Sequence, residues 1–181
     1  MAPRVKTLKT TLEKLHRQPE LHSLAQVRDL AGLRVVVNGS RADQDRIAAR
    51  IADLFRDPER PPKPPIDRRA YPRAGYRAVH LEVRREGILM EVQVRTAIQH
   101  QWAEVFEQAA DRLGRGLRYG ESADNDVAQA VVDRLMTCAD LIDQLERGEI
   151  AYIFGPEPAD IVRDAITDTL TDIAKWVEGL P

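Results

Sequence analysis

Apolar positions recur along the chain with two periods, and the switches between them mark its elements. Leu8, Leu12 and Leu15 keep helical spacing, with Arg4, Lys6, Lys9 and Lys14 around them, which predicts a basic helix near the start. Gln26 to Leu33 reads as a short helix or turn ending at Gly32, and "LRVVV", Leu33 to Val37, as a short buried strand. Asn38-Gly39 signals a turn, and Ser40 or Asp43 can cap the next helix, whose stripe is Ile47, Ile51, Leu54 and Phe55. Five prolines between Asp57 and Pro65 predict an extended, solvated loop, either a lid or a connector. Gly75 to Val83 and Ile88 to Arg95 read as strands joined by a turn at Arg85–Gly87, an antiparallel hairpin. Thr96 can cap a helix carrying Ile98, Trp102, Val105, Phe106, Ala109 and Leu113. Gly114, Gly116 and Gly120 break that pattern. Val127 to Leu145 forms another helix, ended by Gly148; "FGPEP" reads as a loop and Ile161 to Val177 as a last helix.

This order predicts an α+β fold, a small mixed sheet covered by helices, with further helices at the C-terminus. The expected division falls near residue 120. Residues 1–120 form the sheet-bearing unit, and 121–181 a helical extension that caps the core or forms an oligomer interface. At 181 residues the chain can bury a core without staples. Its 27 basic and 29 acidic residues give a net charge of −2, so total charge argues for neither nucleic acid nor membrane. Arginine is concentrated in the first two thirds, which leaves room for a basic groove. Cys138 is the one cysteine, in an apolar helical pattern, and reads as a buried structural thiol. No stretch resembles a signal peptide and no apolar run is long enough to span a bilayer, so the expected location is cytoplasmic, without membrane contact.

The chemistry concentrates on the hairpin. In "MEVQVRT", Met90, Val92 and Val94 alternate with Glu91, Gln93 and Arg95, so one strand face is apolar and the other carries an acid, an amide and a guanidinium. On the neighbouring strand Tyr76, Ala78 and His80 share a face. An aromatic, a histidine and a carboxylate together are not what a solvated sheet face requires. Asp29, in "RDLAGLRVVV", is a turn or capping residue, or else a second carboxylate beside Glu91. Two such oxygen donors suit Mg²⁺ with substrate phosphates. Arg4, Lys6, Lys14, Arg34, Arg68, Arg69, Arg73 and Arg77 supply the cations a polyphosphate needs. "GRGLRYG" lacks the Lys and Ser/Thr of a P-loop. No Cys/His spacing suggests zinc, and no serine elbow suggests a hydrolase.

"RVKTLKTTLEKL", "RDLAGLRVVV", "DRRAYPRAGYRAVHLEV", "MEVQVRT" and "QHQWAE" follow one another in that order. Together, from about Arg4 to Glu107, they resemble the synthetase domain of the RelA/SpoT family of alarmone synthetases. Each motif is weak alone; five in order are specific. The family's separate hydrolase domain would lie upstream of Arg4, so the resemblance is to a stand-alone small alarmone synthetase or a toxic relative. It implies a nucleotidyltransferase-like fold in residues 1–120 and transfer of pyrophosphate from ATP to a ribose 3′-hydroxyl, with Mg²⁺. By resemblance, Asp29 and Glu91 bind the metal, and Glu91 also helps to deprotonate the hydroxyl. Arg4 and Arg34 flank the adenine; Lys6, Lys14, Arg68 and Arg69 hold the ATP side. Tyr76 stacks on the acceptor base, with His80, Gln93, Arg73 and Arg77 around it. The basic segment before Gly75 is shorter than the family's, and Thr10 stands where a serine is expected.

The implied partners are ATP and a guanine or adenine nucleotide. A second reading is a toxin that pyrophosphorylates the 3′-end of tRNA, paired with an antitoxin protein. Arg112, Arg115 and Arg118 would then form an RNA patch, or else a solvated loop. A third is a non-catalytic nucleotide-binding module.

Overall fold

The computed structural model describes residues 2–5, 31–56, 63–86 and 88–180. The basic helix expected around Leu8 to Leu15, the start of the turn at Gln26, Lys6, Lys14 and Asp29 lie outside the described residues, as does most of the proline-rich loop.

In chain order the elements are β1 (Ala2–Val5), β2 (Ala31–Val37), α1 (Arg41–Leu54), β3 (Ile66–Asp67), β4 (Val79–Arg85), β5 (Ile88–Thr96), α2 (Ala97–Leu113), a 3-10 turn (Arg115–Tyr119), α3 (Asp126–Glu146), α4 (Glu149–Phe154) and α5 (Pro156–Glu178). The described strands form a five-stranded mixed sheet in the order β1-β2-β5-β4-β3, so the fold is α+β. β4 and β5 are the expected antiparallel hairpin, and β2 lies parallel to β5 on its other side.

Several boundaries differ from the sequence reading, each for a local reason. Arg4 belongs to an edge strand paired with β2, its backbone opposite Gly32. β2 begins at Ala31, so Gly32 lies inside the strand. β4 begins at Val79 instead of Gly75, because Gly75 takes φ +76 and Arg73 bridges to Tyr76 in a tight turn. "FGPEP" is not a loop: Phe154 ends α4, Gly155 at φ +93 breaks the helix, and Pro156 opens α5 at the first-turn position where its missing N–H costs nothing. Leu54, counted into the stripe of α1, is 74% exposed, and Ile161, read as the start of the last helix, lies inside α5 and is 63% exposed.

Two helix starts are fixed by reciprocal caps. Ser40 accepts from the Asp43 amide while the Asp43 carboxylate accepts from the Ser40 amide, and Thr96 and Gln99 do the same for α2. α1 covers one sheet face, where Ala48 and the partly buried Ile47, Ile51 and Phe55 pack on Val79, Leu81, Val83, Val92 and Val94. A second core joins α2 to α3, α4 and α5 around Trp102, Phe106, Leu135, Ile142 and Leu170. Trp102 stacks on Phe106 at 4.9 Å and donates to the Leu135 carbonyl at 2.7 Å. Cys138 lies inside this core, as expected, and burial pushes its thiol pKa up.

Candidate active site

The register of the sheet sets the site. Arg34 of β2, Gln93 of β5 and His80 of β4 lie in one row, and Gly32, Glu91 and Glu82 in the next. Directly paired residues share a face, so these side chains lie on the side opposite Val92, Val94 and α1.

A closed circuit of hydrogen bonds joins three of them, His80, Glu91 and Gln93, to Tyr76 and Arg95. Arg95 Nη2 donates to Tyr76 Oη at 3.0 Å and to Gln93 Oε1 at 2.9 Å. Gln93 Nε2 donates to Glu91 Oε2 at 2.9 Å. Tyr76 Oη lies 2.9 Å from His80 Nε2, and His80 Nδ1 lies 3.0 Å from Glu91 Oε1. Arginine can only donate, and an ionised carboxylate can only accept. With His80 neutral, the chain has one consistent direction: Arg95 to Tyr76 to His80 to Glu91, with Nδ1 carrying the imidazole proton. Both branches end on the two oxygens of Glu91.

Arg95 is 1% exposed, and its guanidinium also covers the Tyr76 ring at 4.8 Å. Its Nε and Nη1 are buried without a hydrogen-bond partner among the described residues. Burial raises the Tyr76 pKa, with Glu91 and Glu107 adding to the shift and Arg95 opposing it. The phenol therefore stays protonated at neutral pH and keeps its donor.

Three residues of α2 complete the site; two of them, His100 and Glu104, lie in the quoted "QHQWAE", but the sequence reading assigned none of the three a role. Glu104 takes an ion pair from Arg34, whose side chain is 14% exposed. His100 sits within 3.9 Å of Glu104, and burial depresses its pKa. Glu107 is near enough to act by charge on both Tyr76 and His100. The spacing i, i+4, i+7 puts the three on one helix stripe, a signal present in the sequence beside the louder stripe of Trp102 and Phe106.

The remaining candidates separate. Tyr76, His80, Glu91 and Gln93 come together, with Arg34 in the same row. Arg73 is exposed, its guanidinium 5.3 Å above the Tyr119 ring, and its carbonyl accepts from the Tyr76 amide at 3.0 Å. Arg68 is half-buried and its amide donates to the Ala78 carbonyl. Arg69 and Arg77 are held in other networks. Arg69 is gripped by Asp67, Asp45 and the buried Gln44. Arg77 donates to the Gly75 carbonyl and to Asp140. Arg112 donates to the Leu180 carbonyl, Arg115 pairs with Asp111, and Arg118 pairs with Asp111 and the Glu107 carbonyl.

Residues 3–111 match the family model described as the region found in RelA / SpoT proteins. The chain is 40% identical over 133 residues to the uncharacterized proteins Rv1366 of Mycobacterium tuberculosis and Mb1401 of Mycobacterium bovis; this covers 73% of the chain and 47% of each relative. The chain thus spans about half the length of the curated relatives it matches. Its fold matches small alarmone synthetase 1 from Bacillus subtilis in its complex with its product pppGpp, at a TM-score of 0.59 and 25% identity, over 85% of this chain and 77% of that one. It also matches a GTP pyrophosphokinase family protein from Streptococcus pneumoniae, at a TM-score of 0.59 and 22% identity, over 87% and 77%. Matched over more than half its length by that model, and with a fold like that of small alarmone synthetases, the chain belongs to the RelA/SpoT family.

Proposed function

We propose that this protein transfers the pyrophosphate group of ATP to the ribose 3′-hydroxyl of a guanine or adenine nucleotide. The observation that carries the reading is the circuit through Arg95, Tyr76, His80 and Gln93 that ends on Glu91. It fixes an aromatic platform and a carboxylate with few degrees of freedom left. Phosphoryl-type transfer depends on such positioning and on fixed charge.

In this reading the acceptor base stacks on Tyr76 and its 3′-hydroxyl approaches Glu91. The 3′-oxygen attacks the β-phosphorus of ATP as the bond from that phosphorus to the α,β-bridging oxygen breaks. The hydroxyl proton passes to Glu91, and AMP leaves with the bridging oxygen. Arg34, held by Glu104, would line the ATP side together with Arg4; Lys6, Lys14 and Arg68 would hold its phosphates, and Arg73 would border the acceptor. The donor chemistry at Glu91 fits Mg²⁺, a hard cation that accepts one or two carboxylates together with substrate phosphates. No group of three or more metal-binding side chains exists among the described residues, so Glu91 would hold the ion with Asp29, three residues before the Gly32 that pairs with Glu91. Bound there, Mg²⁺ would neutralise the phosphate oxygens.

The test offers ATP labelled on its β-phosphate with GDP, GTP, AMP, ATP alone or bulk tRNA, in the presence of Mg²⁺. Label on a free guanine or adenine nucleotide is expected, and it names the acceptor. Label on tRNA alone would replace this reading with the translation-blocking one. No transfer to any acceptor would leave a nucleotide-binding module.

A further inference from the structure

A cavity of about 540 Å³ opens between the start of α1, the loop from Arg69 to Arg77 and the last turn of α3. None of its lining residues belongs to the circuit around Glu91. Four are arginines, Arg41, Arg69, Arg77 and Arg147, and the one acid among them is Asp143.

Arg69 is neutralised within the wall by Asp67 and Asp45 at 2.7 and 2.6 Å. The other three guanidinium groups converge on Asp143. Arg41 donates to it at 3.0 Å, whereas Arg77 Nε and Arg147 Nη1 stand 3.6 and 3.7 Å away, beyond hydrogen-bond length. Arg77 is 8% exposed, and its Nε is buried with no hydrogen-bond acceptor among the described residues. Its Nη2 reaches Asp140, and Arg147 reaches Glu149. Those carboxylates are 71% and 43% exposed, so water screens much of their charge.

Asp140 and Glu149 balance the formal charge from outside the cavity, but within its lining one carboxylate faces three guanidinium groups and a buried donor is left unmet. An unsatisfied buried donor is costly, and a folded chain seldom keeps one without a reason. An anion with more oxygens and more charge than a carboxylate would satisfy both. Phosphate chains have that character, and arginine matches them in planar, two-pronged geometry. The volume lies within the range of about 300–1,000 Å³ usual for small-ligand sites. No aromatic side chain lines it, so the walls can recognise phosphate but offer no platform for a base.

We propose that this cavity is a second anion site that binds a compact polyphosphate free in solution. The inference stands whether or not the transfer reaction above is correct.

Calorimetric titration with inorganic tripolyphosphate tests it. The proteins are wild type, the double variant Arg41→Gln/Arg147→Gln, and Arg34→Gln, each checked for folding by circular dichroism. The expected result is a binding event that Arg34→Gln retains and the double variant weakens at least tenfold. Asp143→Asn, which removes the competing carboxylate, is expected to tighten that event, a gain that a structural role for Asp143 would not produce. If the double variant fails to fold, Arg147→Gln alone, at the most exposed of the four arginines, is expected to weaken binding threefold or more. Three outcomes would overturn the proposal: no binding by wild type, binding lost wholly in Arg34→Gln, or wild-type affinity in the arginine variants. A single-stranded oligonucleotide bound more tightly than tripolyphosphate, with the same dependence on Arg41 and Arg147, would also overturn it, in favour of a nucleic-acid backbone.

Discussion

Arg95 spends a buried guanidinium on holding Tyr76 and Gln93 in place, with its charge over the aromatic ring. On the proposed reading, that arrangement gives Tyr76 two separable roles. Tyr76→Phe keeps the ring and removes the hydroxyl that links Arg95 to His80, so kcat is expected to fall roughly tenfold, the size of one hydrogen bond, with the acceptor KM little changed. Tyr76→Ala removes the platform, and the acceptor KM is expected to rise about 10- to 100-fold, as loss of base stacking implies. Glu91→Gln is expected to lower kcat by about 10²–10⁴, the range for a lost general base. Steady-state kinetics on the three variants check this, and equal losses in kcat for Phe and Ala would refute the separation. At this scale the polar row of "MEVQVRT" was legible because strand alternation is strict. The reach of Tyr76 was legible only in outcome: it meets His80 from a turn before β4, not from within the strand. His100, Glu104 and Glu107 were given no role because the same helix carries the larger apolar stripe.

Among the elements, the junction of β5 and α2 bears the most. Thr96 caps α2, and its hydroxyl also donates to Glu146 at the end of α3. Gln99 closes the capping box, donates to the same carboxylate at 2.6 Å and meets Gln44 of α1, which in turn bonds the Val94 carbonyl. Loss of an N-cap side chain costs about 1 kcal/mol, and a stranded partner adds about another. Thr96→Ala is therefore expected to lower the melting temperature by roughly 4–8 °C, at about 2–4 °C per kcal/mol for a chain of this size. A melt within 1 °C of wild type would refute it. Gly75→Ala is expected to be worse: φ is +76 there, and a Cβ would stand 2.8 Å from the Trp102 ring. The caps Ser40 and Thr96 were legible because such residues ahead of an apolar stripe are local chemistry, although their partners at the third helical position, Asp43 and Gln99, were not paired with them. The edge strands β1 and β3 were not, because two to four residues carry no period and exist only by pairing. Nor was the network of Gln44, Gln99 and Glu146, whose members meet only in three dimensions.

For the whole molecule, the two apolar cores lie on different sides of the chemistry: one under the sheet with α1, the other among α2 to α5. The loop that runs between them is pinned by Arg69, whose bond to Asp67 holds that carboxyl below its ordinary value of 3.8. Asp67 is thus easier to ionise folded than unfolded, and its contribution to stability is complete above the ordinary value. It is lost as pH falls through the lower folded value. Asp67→Asn is expected to be less stable than wild type at pH 7, with the gap closing below about pH 4. Melts across that range check this, and a gap that does not narrow as pH falls below about 4 would refute it. The α+β class was legible from the order of periods, whereas the partition into two cores was not, since each helix shows a stripe without naming what it covers.

The central pairing of the sheet is also its most distant one in sequence: Gly32 meets Glu91 across about 60 residues, whereas β4 and β5 are joined by a tight turn. Closing so long a loop costs entropy before any contact repays it, so the hairpin can form early and β2 docks later. His80, Glu91 and Gln93 then share a ribbon before Arg34 arrives beside them. On the proposed reading, adenine-nucleotide binding would draw on both segments and would follow the last step of folding, not the first.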